Sequence, residues 1–138
     1  MTLVPGRYFI QGTDDEEQFV GIGPILIYPP PPLPLRYIEG FMKNLFTVNS
    51  LEGHVYELKT QDAGVGYHEN NNVRLTRWCE KSQPWCVEHG DAQGSYRIRI
   101  PNEGRYWTAP EDDDLALIKL ESANGRSNQE WKFVKYES

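Results

Sequence analysis

The segment YPPPPLPLRYIEGFMKN (28–44) holds residues suited to docking another protein. Four consecutive prolines fix φ and keep the backbone near polyproline II, a conformation already extended and low in entropy. A loop ordered in advance loses little freedom when gripped, which is what a substrate-like protease inhibitor requires. Within Pro34-Leu35-Arg36-Tyr37, the guanidinium of Arg36 has the charge and reach to enter an acidic specificity pocket, with Tyr37 following the bond a protease would attack. The plainer reading is that the prolines span a loop and Arg36 is an ordinary solvated side chain.

Asn70-Asn71-Asn72 offers a second bait, since an exposed asparagine suits an asparaginyl endopeptidase, although asparagine-rich hairpin turns also arise for backbone reasons alone. The run Glu111-Asp112-Asp113-Asp114 lacks the alternating spacing and distal glutamate of a calcium loop and reads as a solvated turn. Cys79 and Cys86 are too far apart in sequence for a C-x2-C pair, and His54, His68 and His89 are scattered, so neither a metal nor another cofactor is expected. Whether the two thiols bridge adjacent strands or stay reduced is left open by their spacing. No nucleophile elbow, P-loop or HExxH motif occurs, and the expectation is a protein without enzymatic activity.

Two triplets, Gln83-Pro84-Trp85 and Gln129-Glu130-Trp131, share the form Q-x-W, which marks either a sugar-binding module or equivalent core positions of a repeat. A wider self-similarity favours the repeat. A glycine followed closely by a tyrosine and then an aliphatic residue recurs in GRYFI (6–10), GHVYEL (53–58) and GSYRI (94–98). Each unit ends on an aromatic residue with an apolar one two places on: Phe46/Val48, Trp85/Val87 and Trp131/Phe133. Strand alternation sends both members of such a pair to one face, so all three pairs are expected in the core. Phe46 has no glutamine before it, which argues that the position demands bulk rather than sugar chemistry.

Two further apolar runs lie between these landmarks in each unit, QFVGI (18–22), GVGYH (64–68) and RYWTA (105–109), then ILIY (25–28), VRLT (73–76) and LALIKL (115–120). This assignment places the proline segment between the third and fourth strands of the first unit. The expected fold is all-β: one domain over 1–138, a β-trefoil of twelve strands in three four-strand pseudo-repeats of about 1–50, 51–90 and 91–138. Composition agrees, with 12 glycines and 10 prolines and no sustained helical period. A net charge of −6 repels nucleic-acid phosphates and an anionic membrane, so neither is an expected partner. The start MTLVPGRYFIQ has no basic stretch leading into an apolar run, which points to a cytoplasmic protein.

The start TLVPGRYFI, the junctions NLFTVNSLEGHVYEL and PWCVEHGDAQGSYRI, the segment GRYWTAPEDDDLALIKLE and the ending QEWKFVKYE together resemble the fungal β-trefoil protease inhibitors. The nearest group is the cospin-type serine-protease inhibitors, with the mycocypins, clitocypin and macrocypin, as more distant relatives. The resemblance implies a monomeric defence protein that blocks a trypsin-like serine protease through a basic residue in the loop between the second and third strands. Here that connection reads as Gly23-Pro24 with no Lys or Arg, so the inhibitory residue is not carried over. The mycocypin likeness implies that the loop Gly12-Thr13-Asp14-Asp15-Glu16-Glu17 could instead wedge into a papain-like cleft. The alternative partner is carbohydrate, bound as in ricin-B-like lectins, but the nearest match to their Asp, aromatic and Asn pattern, Asp62 with Tyr67 and Asn70, is poorly spaced. An interaction or storage module with neither activity is the third reading.

Overall fold

The computed structural model describes residues 3–23, 33–61, 63–67, 71–76, 83–111 and 116–136. Among these the chain forms twelve strands: β1 (Gly6–Gly12), β2 (Gln18–Gly21), β3 (Arg36–Glu39), β4 (Phe46–Glu52), β5 (Val55–Thr60), β6 (Ala63–Tyr67), β7 (Val73–Leu75), β8 (Trp85–His89), β9 (Tyr96–Arg99), β10 (Arg105–Thr108), β11 (Lys119–Ser122) and β12 (Trp131–Lys135). Alternation explains their faces: in β1, Tyr8 and Ile10 are buried while Arg7 and Phe9 turn outward. Strands β1, β4, β5, β8, β9 and β12 pair antiparallel in that order, and β12 returns to β1, closing a six-stranded barrel without a free edge. The remaining six pair as hairpins, β2 with β3, β6 with β7 and β10 with β11.

The repeat seen in the sequence has a direct register counterpart. Tyr8 lies opposite Phe46, Tyr56 opposite Trp85, and Tyr96 opposite Trp131. The three hairpins meet through a cyclic set of backbone hydrogen bonds: the Leu35 amide donates to the Val73 carbonyl (2.8 Å), Val73 to Ile118 (3.1 Å) and Ile118 to Leu35 (3.0 Å). All three side chains are fully buried beneath this ring. The result is the β-trefoil architecture, with equivalent residues in the three units.

The ring corrects the strand assignment of the first unit. Arg36–Glu39, not the ILIY run, is the third strand there, because it pairs with β2 in the register Gly21 to Arg36 through Gln18 to Glu39. Residues 25–28 lie outside the described residues. The connection between the second and third strands is therefore not Gly23-Pro24 but the stretch 22–35. Local hydrophobicity misled because ILIY is the more apolar run, whereas the chosen strand is the one whose Leu35 and Ile38 can reach the closed end and the β2 face.

The Q-x-W question is answered by hydrogen bonds. The Gln83 Oε1 accepts from the Tyr67 amide at 2.7 Å, and Gln129, 1% exposed, accepts from the Asn124 amide and donates to Thr108 Oγ1 and the Ser122 carbonyl. In the first unit Asn44, two residues before Phe46, accepts from the Ile22 amide at 2.9 Å. A carboxamide thus precedes each core aromatic and ties its unit's hairpin to the barrel, buried at Asn44 and Gln129 and half-buried at Gln83. Each of these side chains spends its carbonyl oxygen on a backbone amide, which gives the motif a structural role.

Trp85, Trp107 and Trp131 are fully buried and stack edge to face, Trp85 with Trp107 at 5.4 Å and Trp107 with Trp131 at 6.3 Å between centroids. The Trp85 indole donates to the Val65 carbonyl and Trp131 to the Trp107 carbonyl, whereas the Trp107 N–H has no acceptor among the described residues. Trp85→Phe strands a buried carbonyl and Trp107→Phe does not, so denaturant unfolding should show the former costing about 1 kcal/mol more. Trp85→Ala should cost ~3–5 kcal/mol.

Two phenols make stability depend on alkaline pH. Burial, its hydrogen bond to Asp14 and the charges of Asp14 and Asp15 hold Tyr37 far above the ordinary tyrosine value of 10.0. Burial, and then Tyr96 and Tyr56, raise Tyr8. A raised folded pKa contributes stability that is complete below the unfolded value and is lost as pH climbs beyond it, since only the unfolded chain ionises there. The thermal midpoint should therefore fall above about pH 10, and Tyr37→Phe should flatten that decline relative to the parent protein.

Candidate functional site

The closed end of the barrel is where the structure gathers most of the residues singled out from sequence. The Leu33 carbonyl accepts from the Leu75 amide and the Asn71 carbonyl from the Leu120 amide, while the Tyr37 amide donates to the Ala116 carbonyl. Pro34 lies opposite Arg74, Arg36 opposite Leu117, and Asn72 opposite Lys119. Pro34–Tyr37 and Asn71–Asn72 are thus neighbours in one cap, built by three equivalent segments that share a hydrogen-bond pattern.

That placement changes what they can do. Leu35 is fully buried under the cap, so it does not belong to an exposed docking peptide. Arg36 is a half-buried strand residue whose backbone pairs with Gly21 and Leu117 and whose Nε is buried without a hydrogen-bond partner among the described residues, so it belongs to a hydrogen-bonded hairpin rather than to a free extended loop. Tyr37 points inward, edge to face with Trp131 at 5.7 Å, and its hydroxyl donates to Asp14. Pro34 remains half-buried at the mouth of the long connection. Asn71 takes a left-handed backbone (φ 66°), where asparagine is tolerated, and its Oδ1 accepts from Arg105. Asn71 and Asn72 are held by the cap rather than at a free hairpin tip, and Asn70 lies outside the described residues, as does Asp62 of the sugar pattern.

The acidic first-unit loop is braced from within and from behind. The Asp15 carboxylate accepts from the Glu17 amide at 3.0 Å, Gln11 donates to the Glu16 carbonyl at 2.7 Å, and Thr13 Oγ1 donates to the Ser127 carbonyl at 2.8 Å. Gly12 is required beneath it, because a Cβ there would meet the Tyr37 hydroxyl at 1.7 Å. Cys86 is a buried residue of β8 whose thiol is pushed up by burial, so it is a poor nucleophile, and Cys79 lies outside the described residues.

Sequence reasoning passed over a group in the third unit. Lys119, Glu121, Asn124 and Asn128 surround a cleft of about 430 Å³ between β11 and the 3-10 turn Ser127–Gln129. The signal was present in LALIKLE, where exposed Lys119 and Glu121 alternate with buried Ile118 and Leu120.

No protein-family model matches the chain, and no curated protein matches it. Solved structures do share its fold. A proteinase inhibitor from Coprinopsis cinerea is 15% identical, with 97% of this chain covering 99% of that one at a TM-score of 0.76. The Macrolepiota procera ricin B-like lectin, solved in complex with lactose, is 12% identical, with 99% of this chain covering 100% of that one at a TM-score of 0.72. A mosquitocidal holotoxin aligns over 98% of this chain at 15% identity and a TM-score of 0.78, and there the chain spans only 18% of the larger protein. At these identities the likeness establishes the β-trefoil fold.

Proposed function

We propose that this protein is a protease inhibitor that docks its target through the connection between β2 and β3. The observation that carries this reading is the β2 to β3 register, which makes that connection the long stretch 22–35, at the position where the inhibitor resemblance expects a binding loop. Both stems are pinned. The Ile22 amide donates to Asn44 Oδ1 at 2.9 Å, and the Leu33 carbonyl accepts from Leu75 at 2.8 Å. Strand pairing between Gly21 and Arg36 would hold the two ends together even after a peptide bond between them was cut, which favours religation and tight binding over release. The whole-chain likeness to a proteinase inhibitor supports the same reading.

The residues of the connection, IGPILIYPPPPLPL, include no Lys or Arg, and its candidates for a specificity pocket are Ile, Leu and Tyr. The target therefore is a serine protease with an apolar pocket, of chymotrypsin or subtilisin type, rather than a trypsin-like one. A lectin reading is favoured by a different feature, the polar cleft of the third unit, and does not compete for the same surface.

Titration against trypsin, chymotrypsin, subtilisin, papain and legumain tests the proposal. Stoichiometric inhibition of chymotrypsin or subtilisin is expected, lost when residues 24–32 are replaced by a short Gly-Ser linker and retained in Arg36→Ala. A blank panel, or trypsin inhibition abolished by Arg36→Ala, would overturn it.

A further inference from the structure

We infer that this protein pairs with a second copy of itself through the outer face of β1 and β12. Strand alternation turns Arg7, Phe9 and Gln11 outward from β1, and β12 sets Val134 opposite Phe9 and Lys132 opposite Gln11. Tyr136 follows on the same face, its ring edge to face with Phe9 at 6.0 Å. Beside them the 3-10 turn Gly40–Met42 is seated on Phe19, whose ring a Cβ on Gly40 would meet at 3.2 Å. Lys43 joins the two parts. Its Nζ donates to the Gly40 carbonyl at 3.1 Å and stands 4.7 Å from the centre of the Phe9 ring and 5.3 Å from that of Phe19. Six large apolar side chains are exposed among the described residues, and four of them, Phe41, Met42, Val134 and Tyr136, gather here, with Phe41 81% exposed. Such clustering marks an interaction surface, whereas single exposed apolar residues mark nothing.

Charge decides what covers it. At one end Arg7 lies over the Tyr136 ring at 5.2 Å, and neither Arg7 nor Lys43 has a carboxylate partner among the described residues. Beyond Gln11 the sign reverses. Gln11 donates to the Glu16 carbonyl at 2.7 Å, which brings the acidic loop to the same face, and the Glu16 carboxylate pairs with Lys132 at 3.4 Å. Glu17, and Glu39 next to the 3-10 turn, are exposed and have no cation partner among the described residues. Glu137 lies outside the described residues. The strip is therefore cationic at one end, apolar in the middle and anionic at the other.

A partner of one sign would satisfy one end and be repelled by the other. A second copy related by a two-fold axis near Phe9 and Val134 matches both, because Arg7 of each chain then meets Glu16 and Glu17 of the other, and apolar surface meets apolar surface. Each unmatched charge finds its opposite twice over. With one prominent aromatic anchor per chain, the contact belongs with the small interfaces, below about 1,200 Å² in total, and forms a dimer in equilibrium with the single chain.

Sedimentation velocity of the full chain from about 1 µM to about 1 mM tests this. The weight-average mass should climb from the 16.0 kDa of one chain toward twice that value and level off there. Phe41→Ser and Arg7→Glu, both at exposed positions, should keep the parent's far-UV circular dichroism and each weaken association roughly tenfold or more. The double variant Glu16→Lys/Glu17→Lys should be weakened likewise. Mixed with Arg7→Glu, however, it should form a mixed dimer, since both charge contacts are then attractive. Chymotrypsin or subtilisin inhibition by Phe41→Ser and Arg7→Glu should equal that of the parent, which keeps this test apart from the inhibitor reading. A chain that stays single throughout, growth past a dimer, sedimentation with anionic vesicles in place of self-association, or a dimer indifferent to both Phe41→Ser and Arg7→Glu would overturn the inference.

Discussion

Three backbone hydrogen bonds, from Leu35 to Val73 to Ile118 and back, hold this fold in its form. A six-stranded barrel has no edges around its wall but remains open at its ends, where apolar side chains would meet water. The ring brings three hairpins together over one end, and the side chains it carries are themselves fully buried. Because each of the three segments both donates and accepts within the ring, none can shift register without orphaning a backbone N–H in one neighbour and a carbonyl in the other. That constraint selected Arg36–Glu39 as a strand over a more apolar run nearby.

The carboxamides before the core aromatics are the second device and depend on the first. Asn44, Gln83 and Gln129 each bond a backbone amide of their own unit, which anchors the hairpins against the barrel wall. The same motif that marks sugar-binding modules is thus accounted for by satisfaction of buried polar groups. Residues such as Tyr8, Tyr56 and Tyr96 repeat because each lies opposite one of these aromatics on the neighbouring strand. Among the described residues the Trp107 N–H departs from this economy of partners, in an indole enclosed by Trp85 and Trp131.

Against this common framework the units diverge at the rim. The first unit inserts a long connection between its second and third strands and fills the groove beside β3 with Ile38 and Lys43. The third unit keeps a cleft open beside β11, with Asn124 and Asn128 paired in its wall. Divergence of this sort is cheap because rim residues carry little of the core packing.

Much of the fold was legible in the amino-acid sequence: strands alternate with period two, and the Tyr and Trp landmarks recur because an aromatic core needs bulk at three equivalent places. These are local consequences of residue type. The third strand of the first unit was not legible, because ILIY and RYIE are both plausible strands and the choice rests on pairing with residues far along the chain. The same holds for the site. Arg36 looks like bait in a loop and Lys119 like an ordinary surface charge until long-range hydrogen bonds bury the stem of one and open a cleft beside the other. Side-chain chemistry was written in the sequence, and exposure, which decides whether that chemistry meets a partner, was settled only when three distant segments closed on each other.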